Sequence, residues 1–575
     1  MERNEKFIQR EYRRELIPVM ISVLAGTVNT LIDSAFVTRR LNSDALAAVN
    51  LSMPVFLSLC MVGSLIGVGA FTVASRAIGK REEEEAKKYY HSALFLSVVC
   101  GLFFMVLGIF FSNNIARAMC KDATLLPMLI EYCRVTLIGA FPYILIYIPT
   151  YFIQLEGNSK AMTVMMNIMI VTDIIFDWFF LYILDLGITG AALASVLSML
   201  LACIYGFIIL QAKEGMFVFR PELFRLFGLK EIIMFGSSAA LSNFMATLRM
   251  IVLNWIIYSA GGADGLAVWA VINSLMELSI CITSGIPRTG SPLLGIYSSG
   301  HDNEGVRMIV RYEIKVGMIL AAVFAVLIIV LNHPIAIFFK LDQPLLIPFI
   351  CLGISLILEV CVSVLSSFYN VSRRFLLADA ITILKTFVFA SLFAFLLLVS
   401  GISIWLFMPL SMLASLIAIL LYVRSKSIRA EKKGNRLSAI LLLDDHLQNT
   451  NKIKVFSIES SDENICQASE DISEFCVEQN MNRKTAIKLG LALEEVMTVM
   501  ARRSLKKEND PVDIRIYSDK NIGLTIMCSG NRYNLFQVAE TSDDEANMGV
   551  QMINNMAKEC HYLYTLGMNI LTVEF

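Results

Sequence analysis

The chain has 575 residues, of which 56% are hydrophobic and 17% are charged, and its formal net charge is −1. Soluble domains contain about a quarter charged residues, so this composition excludes a purely soluble protein. Long unbroken apolar runs predict membrane-spanning helices, because a membrane β-barrel would show short alternating strands instead. The near-zero net charge indicates no particular partner, and we expect a lipid bilayer as the surroundings and no nucleic-acid binding.

Twelve apolar stretches have the length of about twenty residues that a helix needs to cross a bilayer. Their approximate ranges are 15–37, 46–75, 91–112, 126–152, 162–184, 188–211, 231–259, 266–286, 311–331, 345–368, 378–399 and 402–424. Lys and Arg are concentrated before the first stretch, after the last one and in alternate loops between them. By the positive-inside bias we expect a multi-pass protein of the cell membrane with both termini in the cytoplasm.

Short motifs recur at matching places in the two halves of the apolar region. Leu46–Val49 resembles Leu266–Val268, and Gly187–Gly190 resembles Gly401–Ser403. Two six-helix halves of like orientation are a transporter architecture with a substrate path between them. We therefore divide the chain into a cytoplasmic start, a first half, a connecting loop, a second half, a linker and a C-terminal domain, at 1–14, 15–212, 213–230, 231–424, 425–450 and 451–575.

Three aspartates lie inside apolar runs of the first half. Asp173 and Asp177 are four residues apart, so they share one helix face, and Asp33 lies in the first predicted helix. Two carboxylates this close repel each other unless a proton or another cation lies between them, which predicts a proton or Na⁺ site. The alternatives are that Asp177 pairs within the bundle and that Asp33 forms a salt bridge with nearby arginines.

The second half carries Arg249, Glu277 and Glu359 in mid-helix positions. An arginine cannot lose its proton, so Arg249 requires an acidic partner, and an internal ion pair with either glutamate is one interpretation. The other is a carboxylate left free to contact substrate or a proton. We expect Lys385, nearer to a helix end, to reach the membrane surface.

The stretches around these residues resemble the MATE (multidrug and toxic compound extrusion) family over about residues 10–425. They are LIDSAFVTRRL around Asp33, GVGAFTVASRAIGKRE at 67–82, LEGNSKAM at 155–162 and FDWFFLYILDLGITGAALAS at 176–195. The resemblance implies export of cationic or amphipathic compounds driven by Na⁺ or H⁺, with no other cofactor. It also implies a cation site at Asp33, Asp173, Asp177 and Ser195, where Asp173 replaces the usual Asn and Ser195 the usual Thr.

The sequence of the C-terminal domain predicts an α/β two-layer sandwich. Strands are expected at 455–461, 512–518, 522–528, 562–565 and 569–575, and helices at 464–479, 483–505 and 546–557. The domain resembles the histidine-kinase-type ATPase domain of anti-sigma factors, carried by LALEEVMTVMARRS, SGNRYNLF and the final 28 residues. The resemblance places the nucleotide site at Glu495, Val499, Cys528, Gly530 and Gly549.

This nucleotide site departs from the pattern of active members. Val499 replaces the Asn that ligates Mg²⁺, and Cys528 replaces the Asp that recognises adenine. Neither side chain can serve in those roles, so we expect no kinase activity and a regulatory or partner-binding domain. The leading hypothesis is an ion-coupled exporter of small organic compounds with this domain attached. The alternatives are a flippase for a lipid-linked saccharide and a membrane sensor whose C-terminal domain binds a signalling protein.

Overall fold

The computed structural model describes residues 5–40, 43–80, 82–119, 125–211, 215–300, 302–338, 345–427, 436–443, 453–479, 482–505, 510–518, 522–541 and 548–575. The membrane region is helical. Its helices are α1 Lys6–Arg40, α2 Ser43–Gly79, α3 Glu83–Met119, α4 Leu126–Ile138, α5 Ala140–Leu145, α6 Tyr147–Leu155, α7 Ser159–Trp178, α8 Gly187–Leu210, α9 Leu229–Thr283, α10 Gly285–Ser299, α11 Asn303–Val330, α12 Asn332–Phe338, α13 Leu346–Val371, α14 Phe375–Ile383, α15 Phe389–Ser400 and α16 Phe407–Ser427.

Each of the twelve predicted spans falls on helix. Within the described ranges, nine helices are long and apolar enough to cross a membrane, and a tenth span is bent by 56° between Leu126–Ile138 and Ala140–Leu155. Pro142 and Pro149 lie in the second arm of this bent span. A proline removes a backbone donor and bends a helix, which accounts for the kink that the apolar pattern did not predict.

Several helices extend well beyond the predicted limits. Helices α2 and α3 each have 37 residues, which gives about 55 Å of helix for about 30 Å of hydrocarbon. Helix α3 begins at Glu83 rather than at residue 91, with three glutamates in its first turn. Negative charge stabilises the N-terminal end of a helix, so the charged segment before the apolar run is helical too.

The two halves meet closely at the side of the membrane where the C-terminal domain lies, which we call the tail side. A Cβ atom added to Gly236 of α9 would lie 1.9 Å from the carbonyl oxygen of Leu65 on α2. One added to Gly69 of α2 would lie 2.1 Å from the carbonyl oxygen of Ile232. Only glycine allows this backbone contact, so these two positions hold the halves together.

At the opposite side, the first half has a hydrophobic core of its own. In the described residues this smaller core contains Ala45, Val55, Leu129, Leu181 and Ile188 and their neighbours, all from the first half. The main core, in contrast, joins both halves and part of the C-terminal domain. The helical bundle is therefore closed at the tail side.

The C-terminal domain is a five-stranded antiparallel sheet in the order β1-β2-β3-β5-β4 with helices on one face. The short helix α17 Arg436–Leu441 precedes it. The strands are β1 Ile453–Glu459, β2 Pro511–Ser518, β3 Ile522–Ser529, β4 Glu559–Thr565 and β5 Met568–Glu574, and the helices are α18 Asp462–Glu478, α19 Arg483–Arg503, α20 Leu535–Thr541 and α21 Met548–Met556. All five strands and the three helices that the sequence predicts are present.

The period of two along the strands separates the two faces of the sheet. On β3, Leu524 and Ile526 enter the core beneath the helices, whereas Met527 joins the main core of the membrane region. Leu563 on β4 and Met568 on β5 also join the main core of the membrane region. One face of the sheet therefore packs against the helices of the C-terminal domain, and the other face packs on the tail side of the bundle.

The close contact of α2 and α9 gives a direct test. We expect Gly236→Ala to lower the midpoint of thermal unfolding, because the added methyl group overlaps the α2 backbone at a cost of about 1–3 kcal/mol. The control is Gly261→Ala on the same helix, where an added Cβ meets nothing within 4 Å. Equal midpoints for the two variants, measured by a thermal scan in detergent, would contradict the close packing.

Candidate functional site

Asp173 and Asp177 lie on one face of α7 and are completely shielded from solvent, with 0% and 1% of their surface exposed. Asp173 accepts a hydrogen bond of 3.1 Å from the hydroxyl of Ser198 on α8. One carboxylate oxygen of Asp177 has no hydrogen-bond partner among the described residues. The two carboxyl groups interact electrostatically, so the protonation of one depends on the charge of the other.

Two serines of α8 are relevant to this pair, and the sequence predicts only Ser195 as part of the site. Ser195 donates to the carbonyl oxygen of Ala191 on its own helix at 3.5 Å, and it is buried. Ser198, three residues later on the same face, makes the contact with Asp173. The spacing of three after Ser195 is the signal that could have indicated Ser198.

The other polar residues of the first half add no described ligand to the acid pair. Asp33 belongs to α1, but its side chain is outside the described residues. Arg40 pairs with Asp185 at 3.0 Å. Two further polar residues of α7 do not join the pair, because Asn167 is exposed and Thr172 donates to the backbone of its own helix.

Helix α7 continues directly into a π-helical turn, Phe179–Ile183, just after Asp177. A second π turn, Leu384–Val388, lies in the second half and contains Lys385. Such turns are rare and occur frequently at functional sites, because they rotate the side chains that follow them. Lys385 donates to the hydroxyl of Ser363 at 2.8 Å inside the bundle, so the expectation that it reaches the membrane surface is wrong.

The second-half residues Arg249, Glu277 and Glu359 form a loose group. Arg249 is half-buried on α9 and interacts electrostatically with Glu359 and Glu277. In the part of the chain that is described, neither glutamate forms an ion pair with it within 4.0 Å. Glu277 is exposed. The tight internal ion pair is therefore absent from this conformation, and the group is open to other contacts.

The C-terminal candidates surround α19. Val499 and Cys528 lie in the apolar core between the helices and the sheet. Burial raises the pKa of the Cys528 thiol to about 12, so it stays neutral. A Cβ atom added to Gly549 would lie 1.9 Å from a carboxylate oxygen of Glu495, so these two residues are in contact. A valine, a neutral thiol and one glutamate provide a poor set of ligands for Mg²⁺.

The candidate cation site consists of Asp173 and Asp177 on α7 and Ser198 on α8. The described residues contain no cluster of three or more His, Cys, Asp or Glu that could hold a metal ion. Two buried carboxyl groups and a hydroxyl suit a proton or a small hard cation. Carboxylates that are excluded from water are costly unless they are neutralised, so a proton or a small cation would stabilise the pair.

Comparison with known proteins gives one consistent result. The profile of the MatE family matches residues 18–179 and again residues 238–402, once in each half. The multidrug export protein MepA of Staphylococcus saprophyticus is 24% identical over 57% of this chain and 72% of its own length. MepA of Staphylococcus aureus is 22% identical over 56% and 72%.

Solved structures agree with the fold. A crystal structure of MATE in complex with MaL6 superposes with a TM-score of 0.69 at 23% identity, covering 75% of this chain and 97% of the other. A multidrug resistance MATE transporter in an outward-facing conformation gives 0.69 at 24% identity, covering 75% and 96%. The double match of the family profile covers more than half of the chain, which therefore belongs to the MatE family of membrane transporters.

Proposed function

We propose that the protein exports amphipathic or cationic organic compounds across the cell membrane in exchange for protons. The observation that carries this proposal is the buried pair Asp173 and Asp177, with an unsatisfied oxygen on Asp177, inside a MatE bundle. The two Staphylococcus relatives are named as multidrug export proteins, which supports export over the flippase alternative.

The proposed coupling ion follows from the acids of the site. Where the family pattern has a neutral Asn, this chain has Asp173, so the site holds one more negative charge. Two carboxyl groups that share a low-dielectric site are neutralised most simply by a proton between them. Na⁺ is the competing ion, with Asp33, Asp173 and Asp177 as its ligands. In this proposal the proton enters from outside and replaces the substrate.

The tail side is the cytoplasmic side in this proposal, because the basic loops lie there. Export requires that the two halves open alternately to the two sides of the membrane. The described conformation, closed at the tail side, corresponds to the state that releases substrate outside. The return step must break the contact between α2 and α9.

We further propose that the C-terminal domain regulates this return step. Its sheet docks on the first half, where Arg10 of α1 forms a bidentate ion pair with Asp510 at 2.7 and 3.3 Å. The carbonyl oxygen of Leu155, at the end of α6, accepts hydrogen bonds from the Thr565 hydroxyl at 2.7 Å and the Leu566 amide at 3.0 Å.

The segment that leads into the domain docks on the second half, which Arg515 of the sheet also approaches at Gly300. Arg307 of α11 donates to the hydroxyl of Ser438 at 2.9 Å, and Arg374 donates to the carbonyl oxygen of Leu441 at 2.8 Å. Leu441 is fully buried in the main core. Domain and linker together therefore tie one half to the other across the tail side, so opening of that side must detach one of the two attachments.

The attachment to the first half combines these polar contacts with apolar packing of Met527, Leu563 and Met568 in the main core. A signalling protein that binds the domain could detach it, which keeps the partner-binding role open. The apolar surroundings of Val499 and Cys528 support a role without phosphate transfer.

Removing the acid pair tests the transport proposal. In proteoliposomes with an imposed proton gradient, we expect Asp177→Asn to reduce the export of a fluorescent cationic dye at least tenfold, to about the leak of empty vesicles. Ser198→Ala, which removes the donor to Asp173 at a cost of about 1 kcal/mol, should reduce it about fivefold. Wild-type flux in Asp177→Asn, or flux that follows a Na⁺ gradient alone, would contradict proton exchange.

Weakening the attachment of the domain tests its regulatory role. Arg10→Ala leaves the buried carboxylate of Asp510 unpaired, which costs the docked state about 1–3 kcal/mol. Because detachment becomes easier, we expect the initial rate of dye export to increase about two- to tenfold. The control is Lys6→Ala, whose exposed ion pair with Glu459 contributes at most about 1 kcal/mol. Equal rates in the two variants would contradict the regulatory role.

Calorimetry of the full chain with Mg-ATP tests the absence of nucleotide chemistry. We expect no binding heat at concentrations up to about 1 mM, because Val499 and Cys528 offer no suitable ligands. The double substitution Val499→Asn and Cys528→Asp is the comparison, and a gain of binding there would support the assignment of the site. Micromolar binding by the unmodified chain would overturn it.

A further inference from the structure

Glu313, on α11, is a fully buried acid that the proposed transport site does not use. Neither of its carboxyl oxygens has a hydrogen-bond partner in the described part of the chain. The carboxyl group lies directly against the backbone of α10, where a Cβ atom added to Gly290 would be 1.4 Å from Glu313 Oε1. The space that this carboxyl group occupies therefore exists because residue 290 has no side chain.

Glu313 lies where the first half rests on the second half at the tail side. Tyr12 of α1, which belongs to the first half, is fully buried and interacts electrostatically with Glu313. The Tyr12 hydroxyl donates to the carbonyl oxygen of Ile286 on α10 at 3.0 Å, so it is already engaged. When the halves separate at the tail side, α1 must leave α10 and α11, which exposes Glu313 to water.

The charged groups described on the packed helices form no ion pair with Glu313, and one of them, Arg288, has a buried Nε that also lacks a hydrogen-bond partner among the described residues. On α1, Arg13 donates to Tyr312 and Arg14 pairs with Glu11 and Glu15. On α10, Arg288 lies over the ring of Tyr151, 4.3 Å from its centroid. On α9 and α13, the acids Glu277 and Glu359 interact electrostatically with Arg249. The described chain thus brings no cation to Glu313.

An ionised carboxylate in such surroundings is strongly disfavoured, because it would lose water and gain no partner. The neutral acid avoids most of this cost. We propose that Glu313 is a proton-binding site, separate from Asp173 and Asp177, that must be filled before the two halves can close at the tail side. The inference rests on the proposed alternation between two conformations, but not on the substrate or the coupling ion.

The sign of the pH effect follows from the proton count. The closed conformation holds one proton at Glu313, whereas the open conformation exposes the carboxyl group to cytoplasmic water, where it can ionise. A state that binds more protons is favoured by lower pH. Acidification on the tail side therefore shifts the population toward the closed conformation, by up to about tenfold per pH unit for one proton.

A distance measurement tests this site without substrate or gradient. Spin labels at Lys160 in the first half and Arg373 in the second half, both exposed, report the separation on the tail side in full-length protein whose other reactive cysteines are replaced. Double electron–electron resonance between pH 5 and 9 should show a wild-type population that opens as pH rises. Glu313→Gln, which copies the protonated acid, should stay closed at every pH.

Two further variants make the result decisive. Glu313→Asp keeps a carboxyl group and should retain the pH response, which separates loss of the proton site from misfolding. Glu82→Gln removes an exposed acid at the same side and should behave as wild type. A pH response in Glu313→Gln equal to that of wild type would overturn the proposal, as would a wild-type separation that does not change with pH. If the wild-type protein exports no dye but still shows the pH response, the proposed function is refuted and this inference stands.

Discussion

The structure depends on one physical constraint, the cost of a carboxylate in a place without water. Asp173, Asp177 and Glu313 are all fully buried, and Asp177 and Glu313 have carboxyl oxygens without a hydrogen-bond partner among the described residues. Asp510, in contrast, is buried at the edge of the C-terminal domain and has the Arg10 guanidinium as its partner. The paired acid fastens two parts of the molecule together, whereas we propose that the acids inside the bundle bind and release a proton or a cation.

The same constraint connects ion binding to movement. Helices α2 and α9 contact each other through their backbones at Gly69 and Gly236. At the tail side the two halves are therefore either in contact or separated, with few intermediate arrangements. In the proposed function, neutralising a buried acid changes which of these arrangements is favoured, without any long-range pathway. The proposed regulation by the C-terminal domain would act on the same equilibrium, because its linker contacts the second half and its sheet contacts the first. Proton binding and domain docking would then act on one movement from two sites.

Much of this architecture could be predicted from the sequence, because it depends on hydrophobic period and length. The twelve apolar stretches and the five strands show their period directly, and the MatE motifs around Phe176–Ser195 indicate where the first-half acids lie. The kink of the fourth span is indicated by Pro142 and Pro149, which are visible in the sequence. The π turn at Lys385 could not be predicted, because local helix register decides it. The long α3 was missed because its first turns are charged.

Contacts between segments that are far apart along the chain could not be predicted from the sequence either. Arg10 and Asp510 are 500 residues apart, and nothing in either segment indicates the other. Glu313 follows Arg311 in a stretch that resembles the charged beginning of a span, so its burial depends on Tyr12 and on the absence of a side chain at Gly290. Ser198 differs from these, since its spacing from Ser195 was visible and its role required only the orientation of α7.

The most direct measurement of the central claim is the release of protons when substrate binds. Purified protein in weakly buffered detergent solution, mixed with a cationic substrate near pH 7, should release about one proton per bound molecule, recorded with a soluble pH dye. Asp177→Asn should bind the same substrate and release none. Substrate binding by the wild-type protein without proton release, at every pH between about 6 and 8, would contradict the claim that the buried acid pair exchanges protons for cargo.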